Sequence, residues 1–353
     1  MTSGAPSSRS LTTRTSAAED SHGVSLATPR GATLQAIQLP IRDKLERVSG
    51  AMAQIVASDL PLVGQVSAHL LAMRGKMFRP TLLLLSSEVA GEPEEQAITF
   101  GATLELIHLA TLVHDDAVDH SVLRRGMPTV NALFSHQISV IMGDFLYSTA
   151  LTQLVGLGNL EALQALTRAS TEMTLGEMRQ LAVTDPLRFS ESEYYDLIRS
   201  KTASLMRTAC ELGALSGARR YRDALGAFGE NLGMAFQIAD DLLDYREEEE
   251  TTGKPSGLDL REHKVTLPLI HALREMPRSS RQQVERLFDS ETLSDEEIAS
   301  IVHIVEENGG FEYARAQGEE FAERAHEALA ELPDTVARRS LTGSISYVME
   351  RHS

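Results

Sequence analysis

Two groups of aspartates carry the chemistry that this sequence suggests. Each group has the spacing Asp-Asp-x-x-Asp and follows an apolar run, at residues 104–113 and 232–239 respectively. The aspartates are Asp115, Asp116 and Asp119 in the first group and Asp240, Asp241 and Asp244 in the second. On a helix, residues three or four apart lie on one face, so the carboxylates of each group can converge at a helix end. Such hard oxygen ligands suit Mg²⁺ or Mn²⁺, with the remaining coordination left to water or substrate phosphates.

A single Asp-Asp-x-x-Asp group is typical of an acidic helix end in solvent. Two copies, each after an apolar helical stretch, favour a metal site between two helix ends that face each other. Like charges repel at this spacing, and the apolar approach directs the carboxylates toward a cavity. Bound cations are therefore expected between the two groups.

Basic and polar residues near the aspartates are candidates for binding phosphate. Lys76 and Arg79 lie three residues apart beside a predicted helix start, where free N–H groups also attract anions. Further cations are Arg124 and Arg125 after the first aspartate group, Lys201 inside a predicted helix, and Lys254 and Lys264 after the second group. His108 and Gln237 are expected near the helix faces that carry the aspartates. Any one of these residues is most often plain surface or core, whereas the set indicates phosphate clamps.

The composition is that of a globular protein with a sizeable core: 353 residues, of which 42% are apolar and 24% charged. A formal net charge of −17 argues against nucleic acid and anionic membranes as partners. The same charge makes an anionic substrate unfavourable without bound cations. The single cysteine, Cys210, excludes an intrachain disulfide and is predicted to be a buried helix thiol. Charges such as Asp144 interrupt the apolar runs, so no transmembrane segment is expected.

The chain is predicted to be helical after a flexible tail. Residues 1–32 are rich in Ser, Thr, Ala and Gly and lack an apolar period, so they are predicted to be disordered. Without the apolar core of a secretory signal, a cytoplasmic location is expected. Residues 33–353 are predicted to form one all-α domain, a helical bundle of about a dozen helices around a central cavity.

Local signals mark several helix starts. Pro40 and Pro61 are predicted to lie in first helical turns. Capping boxes are predicted at Ser190 with Glu193 and at Ser294 with Glu297. No strand alternation or hairpin signal is recognised, so no β structure is expected.

The order of these motifs resembles that of the trans-isoprenyl diphosphate synthases, the polyprenyl synthetase family. The similarity covers nearly all of the chain except the tail. Its pieces are, in order, Gly75-Lys76-x-Phe78-Arg79-Pro80, Asp115-Asp116-x-x-Asp119 with Arg124-Arg125-Gly126, Lys201-Thr202, Gln237-x-x-Asp240-Asp241-x-x-Asp244, and Gly253-Lys254-Pro255 through Lys264-x-Thr266-Leu267-Pro268. The resemblance implies the all-α isoprenoid synthase fold, usually as a homodimer, and a requirement for Mg²⁺. It also implies condensation of isopentenyl diphosphate with an allylic diphosphate to give a trans-polyprenyl diphosphate.

The family's residue roles carry over by position. The implied metal ligands are Asp115, Asp116, Asp119, Asp240, Asp241 and Asp244, the last of them through an indirect contact. The implied ligands of the allylic diphosphate are Arg124, Lys201, Thr202, Gln237, Lys254 and Lys264. The implied ligands of isopentenyl diphosphate are Gly75, Lys76, Arg79, His108 and Arg125. Asp115, Asp116, Lys201, Asp240 and Asp241 would carry the ionisation step itself.

Two positions depart from the family pattern. Arg74 stands where many members have a further Gly, and His263 replaces a commoner Gly before Lys264. Neither change removes an implied ligand, so both concern the local geometry of loops.

Product length is expected to depend on the helix that precedes the first aspartate group. In relatives that stop at farnesyl, a bulky aromatic blocks the level at which this chain has Ala110 and Thr111, with Ile107 beyond them. From Asp115 to Leu104 a helix rises about 16 Å, which is more than a farnesyl tail needs. The predicted product is of geranylgeranyl length or longer, and a long-chain product of the kind used for quinone side chains is favoured over geranylgeranyl diphosphate. The floor of the cavity is expected around residues 138–147, where Phe145 or Tyr147 could stop the chain.

Three other functions would explain part of this pattern. A metal phosphohydrolase built on His114 and Asp115 would need further histidine ligands, and it leaves the second aspartate group unexplained. A terpene cyclase would share the fold but seldom has both aspartate groups together with Lys76 and Arg79. A non-catalytic subunit of a heteromeric synthase would be expected to lose aspartates, whereas this chain keeps all six.

Overall fold

The computed structural model describes Met1 and residues 32–73, 75–91, 93–245, 257–290 and 292–350. Most of the expected tail, together with Arg74 and Lys254, lies outside the described residues. Within them the chain is almost wholly helical, which confirms the predicted fold class.

The described residues form seventeen α-helices and two short strands. The helices are α1 (Leu34–Gln38), α2 (Arg42–Ile55), α3 (Pro61–Ala72), α4 (Phe78–Glu88), α5 (Gln96–Val118), α6 (Val130–Leu133), α7 (His136–Gly156), α8 (Leu160–Leu181), α9 (Glu191–Ile198), α10 (Ser204–Gly217), α11 (Arg222–Asp244), α12 (Leu258–Arg261), α13 (Leu267–Glu275), α14 (Arg278–Phe288), α15 (Asp295–Glu307), α16 (Gly310–Ala328) and α17 (Val336–Glu350). The strands are β1 (Leu123–Arg124) and β2 (Met127–Pro128). Three 3₁₀ turns (Leu39–Ile41, Pro186–Arg188 and Arg219–Tyr221) and a π-helical segment (Arg199–Ala203) complete the described elements.

Local side-chain chemistry explains several helix starts. Ser190 and Ser294 each accept a hydrogen bond from the backbone N–H three residues later, and the glutamate there bonds back, so both predicted capping boxes are confirmed. Pro61 is the first residue of α3, as predicted. Pro40 lies instead in the 3₁₀ turn between α1 and α2.

Helix α10 lies at the centre of the bundle and packs against α4, α5, α8 and α11. Nearly all of its residues are buried, including Cys210, as predicted. Burial raises the pKa of the Cys210 thiol to about 12. Two hydrophobic clusters form the core, one around α10 and α5 and the other around α13 and α15, and Phe321 packs against both.

The two longest helices, α5 and α11, carry the aspartate groups at their C-terminal ends. Each has 23 residues and is therefore about 35 Å long. Helix α5 packs along α7, and α11 packs along α16. The C-terminal end of a helix carries partial negative charge, so carboxylates there are unfavourable unless cations offset them.

The prediction of no β structure is wrong at one place. Strands β1 and β2 form a two-residue antiparallel hairpin, in which Leu123 pairs with Pro128 and Arg124 with Met127. Its turn residues, Arg125 and Gly126, both have positive φ, as a type I′ hairpin turn requires. Strands of two residues are too short to show an alternating pattern, so the sequence carried no usable signal for them.

In the part of the chain that the structure describes, two helices, α5 and α7, are long and apolar enough to cross a membrane by length and composition alone. The expectation that a charge such as Asp144 excludes such a segment was too strict, since α7 contains that residue. In α5, 61% of the apolar window is buried, which is the property of a core helix. In α7 only 33% is buried, and Ile141 and Val155 are exposed on its outer side.

Candidate active site

One cavity of about 580 Å³ collects side chains from the ends of α5 and α11. It brings together eight of the residues implied as metal or diphosphate ligands, namely Asp115, Asp119, Arg124, Lys201, Thr202, Gln237, Asp241 and Lys264. These residues come from four separate parts of the chain. The expectation that the two aspartate groups face a common space is therefore met by Asp115 and Asp119 from one side and Asp241 from the other.

In the first aspartate group, two side chains line the cavity and the third binds a neighbouring arginine. Asp115 and Asp119 are four residues apart and both line the cavity. Asp116 is buried, and Arg124 Nε donates to its two carboxylate oxygens over 2.8 and 2.9 Å. Asp116 therefore positions Arg124, which itself lines the cavity.

The second aspartate group is divided in a similar way. Asp241 is buried and lines the cavity, where it accepts hydrogen bonds from Tyr194 Oη over 2.6 Å and from Gln237 Nε2 over 2.8 Å. Asp240 is exposed. The Asp244 carboxylate accepts the backbone N–H groups of Leu258 and Asp259, over 3.1 and 2.9 Å, and thus ties the start of α12 to the end of α11.

Burial and the charges of neighbouring carboxylates raise the pKa values of Asp115, Asp116, Asp241 and Asp244. Desolvation, followed by the charge of Glu177, raises the pKa of Asp115 to about 6. Desolvation likewise raises the pKa of Asp116 and that of Asp244, and raises that of Asp241 well above its ordinary range. Divalent cations between the two helix ends would relieve this repulsion.

The donor set fits a divalent cation whose coordination is shared with a ligand. Among the described residues, no three His, Cys, Asp or Glu side chains are grouped closely enough to hold a metal ion by themselves. Asp115 and Asp119 line the cavity from one helix end, and Asp241 lines it from the other. Mg²⁺ is commonly held by one or two carboxylates and completed by water and phosphate oxygens, which matches this arrangement.

A π-helical segment presents Lys201 and Thr202 to the cavity. Residues Arg199–Ala203 form this segment between α9 and α10, where the sequence predicted an uninterrupted helix. Local π turns of this kind often occur at functional sites. Thr202 Oγ1 donates to Gln237 Oε1 over 2.7 Å, and Gln237 in turn donates to Asp241. A chain of hydrogen bonds thus connects the π segment to the second aspartate group.

Lys264 reaches the cavity from the loop after α12. Its ammonium donates to Glu262 Oε2 over 2.5 Å. Burial lowers the pKa of Lys264, but the bond and charge of Glu262 outweigh it, so the pKa lies above its ordinary value. His263, the departure noted in the sequence, has a positive φ and bonds through Nε2 to the Ser290 carbonyl over 2.9 Å.

The hairpin joins this cavity to a second group of cations. Arg124 in β1 turns toward Asp116, whereas Arg125 in the turn donates from Nη1 to the Met73 carbonyl over 3.0 Å. The Arg125 guanidinium lies against Gly75, where an added Cβ would be only 2.5 Å from Nη1. Gly75 is therefore needed for Arg125 to occupy this position.

The remaining residues implied as ligands of isopentenyl diphosphate lie on α4, in the segment just before α4, and on α5. Arg79 Nη1 donates to His108 Nε2 over 2.9 Å. The Lys76 ammonium lies 5.8 Å from the centre of the Tyr347 ring in α17. Gly75, Arg79, His108 and Arg125 are thus linked in two contacting pairs, and Lys76 borders them. None of these five residues lines the cavity between the aspartate groups, so they lie outside it as a second group of side chains next to Arg124.

Sequence reasoning missed several charged or polar residues, in the cavity and beside the second group of side chains. Asp259, Glu177, Gln180 and Glu262 line the cavity, and burial followed by the charge of Asp244 raises the pKa of Asp259 to about 7. Glu105 is buried within charge-interaction range of Arg79 and Arg125. A glutamate inside the apolar run 104–113, three residues before His108, was the signal that could have revealed it.

The residues implied in product length lie below the first aspartate group. Ile107 and Ala110 are buried in α5, and Thr111 Oγ1 donates to the His108 carbonyl over 2.8 Å. None of the three lines the cavity between the aspartate groups. Phe145 and Tyr147 of α7 are half-buried and pack against the core.

Comparisons with known proteins found a matching family model and several relatives. The polyprenyl synthetase family model matches residues 60–305. The chain is 35% identical over 319 residues to the all-trans-nonaprenyl-diphosphate synthase (geranyl-diphosphate specific) of Rhodobacter capsulatus, covering 90% of this chain and 98% of that protein. It is 35% identical over 306 residues to the octaprenyl diphosphate synthase of Escherichia coli strain K12, covering 86% and 94% respectively.

A solved structure adds a ligand-bound example. The polyprenyl synthase of Caulobacter crescentus CB15, complexed with calcium and isoprenyl diphosphate, has a TM-score of 0.86 and 31% sequence identity to this chain. The match covers 92% of this chain and 100% of that one. Because the family model spans more than half of the chain and the relatives align over nearly their full length, the chain belongs to the polyprenyl synthetase family and is a prenyl-transferring enzyme.

Proposed function

We propose that this enzyme adds isopentenyl diphosphate repeatedly to an allylic diphosphate, with Mg²⁺ as its metal, and releases a product longer than geranylgeranyl diphosphate. The observation that carries the proposal is the cavity between the ends of α5 and α11. There, carboxylates from both helix ends lie beside Arg124, Lys201 and Lys264. The charge of an allylic diphosphate must be neutralised as its carbon–oxygen bond breaks. The cations would do this directly, and the carboxylates would do it by holding Mg²⁺.

The cavity residues bind and orient the allylic diphosphate. Arg124, Lys201 and Lys264 would contact its non-bridging oxygens as cations. Mg²⁺ held by Asp115, Asp119 and Asp241 would supply further neutralisation of the leaving diphosphate. When the allylic carbon–oxygen bond breaks, its electron pair stays on the diphosphate and an allylic cation remains.

The second group of side chains would bind the other substrate. Arg79, which contacts His108, and Arg125, which follows Arg124, would bind the diphosphate of isopentenyl diphosphate together with His108. The substrate's double bond would then form the new carbon–carbon bond to the allylic cation. Loss of one proton, to the released diphosphate, restores a double bond and gives a product one isoprene unit longer. Apolar side chains around the cation exclude water that would otherwise trap it.

Two observations support a long product. The nonaprenyl and octaprenyl synthases are similar to this chain over nearly all of their length. Ala110 and Thr111 have small side chains and lie on α5, at positions where a bulky aromatic side chain would close the path of a growing product chain. Products beyond geranylgeranyl diphosphate are therefore the expected outcome.

A product assay tests the proposal. Purified protein receives Mg²⁺ and labelled isopentenyl diphosphate with geranyl, farnesyl or geranylgeranyl diphosphate, and the products are resolved by length. Chains longer than geranylgeranyl are expected, and Asp115→Asn should abolish them. A stop at geranylgeranyl would overturn the length and leave the reaction, whereas no condensation with any primer would overturn the function.

We also propose that the enzyme is a homodimer. Helices α7 and α8 expose large apolar side chains, including Ile141, Val155, Leu175 and Met178. A second copy of the chain would cover this surface, which water would otherwise contact. Light scattering coupled to size-exclusion chromatography should give twice the monomer mass, and Ile141→Asp should shift the mass toward the monomer.

A further inference from the structure

The ammonium of Lys201 is held by two acceptors from a single helix. Its Nζ lies 2.7 Å from Glu177 Oε1 and 2.7 Å from Gln180 Oε1. Both acceptors belong to α8, and their spacing of three residues places them on one helix face. All three side chains line the cavity between the aspartate groups.

The aliphatic part of the Lys201 side chain is confined as well as its ammonium group. Gly176 of α8 lies against the π-helical segment, where an added Cβ would be 3.1 Å from Lys201 Cγ and 3.0 Å from Ser200 Cβ. A lysine side chain normally loses much rotamer freedom when it must act at one point. Here α8 fixes both the path of the stem and the direction of the ammonium.

The stereochemistry of an ammonium group then gives the contact a direction. Lys⁺ has three N–H donors arranged tetrahedrally and no acceptor. With two donors used by Glu177 and Gln180, one N–H remains, and its direction is set by the other two. A partly exposed ion pair of this kind adds little to the stability of the fold, so stability does not explain the contact between Glu177 and Lys201.

We propose that Glu177 and Gln180 are positioning residues that aim the third N–H of Lys201 at the diphosphate of the allylic substrate. The inference rests on the proposed function, which makes Lys201 a ligand of that diphosphate. The competing explanation is that Glu177 only occupies Lys201 and must be displaced by the substrate. The two explanations predict opposite changes when Glu177 is removed.

Steady-state kinetics with separate variation of the two substrates provides the test, using farnesyl diphosphate as the allylic substrate at saturating Mg²⁺. Glu177→Ala should raise KM for farnesyl diphosphate about tenfold, the size of one charge-assisted hydrogen bond. KM for isopentenyl diphosphate should change less than about twofold, since its subsite is built from other residues. Gln180→Ala should change the same constants in the same direction.

Glu177→Gln separates positioning from charge. The amide oxygen still accepts from Lys201, so this variant should stay within about threefold of the wild type. If Glu177 acted instead through its charge on Asp115 and the metal, Gln would be as damaging as Ala, and the proposal would be overturned. Glu172→Ala is the matched control, because Glu172 lies on the same helix and pairs only loosely, at 4.0 Å, with Arg168.

Other results would also overturn the inference. A lower KM for farnesyl diphosphate in Glu177→Ala would show that Glu177 merely competes for Lys201. An equal rise in both KM values, or no change, would remove the positioning role. If the wild type failed to condense the substrates, the proposed function would fail first. Calorimetry of inorganic diphosphate binding in the presence of Mg²⁺ would then still compare the orientation of Lys201 in the wild type and its variants. Weaker binding is expected in Glu177→Ala, and equal binding would count against the inference.

Discussion

Arg79 Nη1 donates a hydrogen bond to Nε2 of His108 over 2.9 Å. A guanidinium has no acceptor, so Nε2 must accept and the imidazole proton must lie on Nδ1. Desolvation, followed by the charges of Arg79 and Arg125, holds the pKa of His108 well below its ordinary value of 6.5. His108 is therefore a neutral donor whose ring is oriented by Arg79, in keeping with a contact to substrate.

The lowered pKa of His108 predicts a pH dependence of stability. The unfolded chain binds the proton before the folded protein does, so part of the free energy of unfolding is lost as the pH falls below about 6.5. His108→Gln keeps an acceptor for Arg79 but does not titrate. Urea midpoints measured from about pH 8 to about pH 5 should therefore fall less in the variant. The same slope in both proteins would contradict a His108 that stays neutral in the folded protein.

Gly75→Ala should displace Arg125 without unfolding the protein. The added Cβ would meet the guanidinium, which is the far end of a flexible side chain and can move aside. KM for isopentenyl diphosphate should rise about tenfold, because a charged contact to its diphosphate is lost. Gly64→Ala in α3 is the control, since nothing lies within 4 Å of its added Cβ. A tenfold change in the control, or none in Gly75→Ala, would contradict the role of this close contact.

Asp244→Ala should lower stability more than Asp240→Ala does. Its carboxylate accepts two backbone N–H groups at the start of α12, and loss of such a cap costs about 1–2 kcal/mol. Urea unfolding in the presence of EDTA measures this cost without a metal contribution. Asp240→Ala, at an exposed position of the same group, should lose less. Equal losses would show that the contacts to Leu258 and Asp259 contribute nothing particular.

Asp115→Asn should stabilise the metal-free protein at neutral pH. The folded pKa of about 6 lies above the ordinary 3.8, so ionisation of Asp115 costs stability as the pH rises through that interval. The variant should melt at a higher temperature than the wild type near pH 7.5 and at about the same temperature near pH 4. Added Mg²⁺ should raise the melting temperature of the wild type more than that of the variant. A wild type that is insensitive to Mg²⁺ would count against the metal site.

Ala110→Phe should shorten the product. Ala110 is buried on α5 below the first aspartate group, so a phenyl ring there would fill space that an elongating chain has to pass. Overpacking should also cost about 1–3 kcal/mol, so the melting temperature must be recorded alongside the product length. Thr111→Ala serves as the control that keeps the path open. Unchanged products from a folded Ala110→Phe would place the chain-length determinant elsewhere.

Much of the site could be predicted from the sequence because its signals are local. Helical spacing alone placed Asp115 and Asp119 on one face, and the capping boxes at Ser190 and Ser294 set two helix starts. Apolar context likewise predicted the buried thiol of Cys210. Each of these outcomes depends on residues within a few positions of one another, where helix geometry leaves little freedom.

Only the tertiary structure decided which charges meet. Asp116 turns away from the cavity to hold Arg124, and Glu177 reaches Lys201 although the two residues lie on different helices. The Arg125 turn and its contact with Gly75 likewise join segments that are 50 positions apart in the chain. Such contacts depend on how α5 and α8 pack against the hairpin and the π-helical segment. A periodic pattern shows only which face of a helix is buried, not which side chains it will meet.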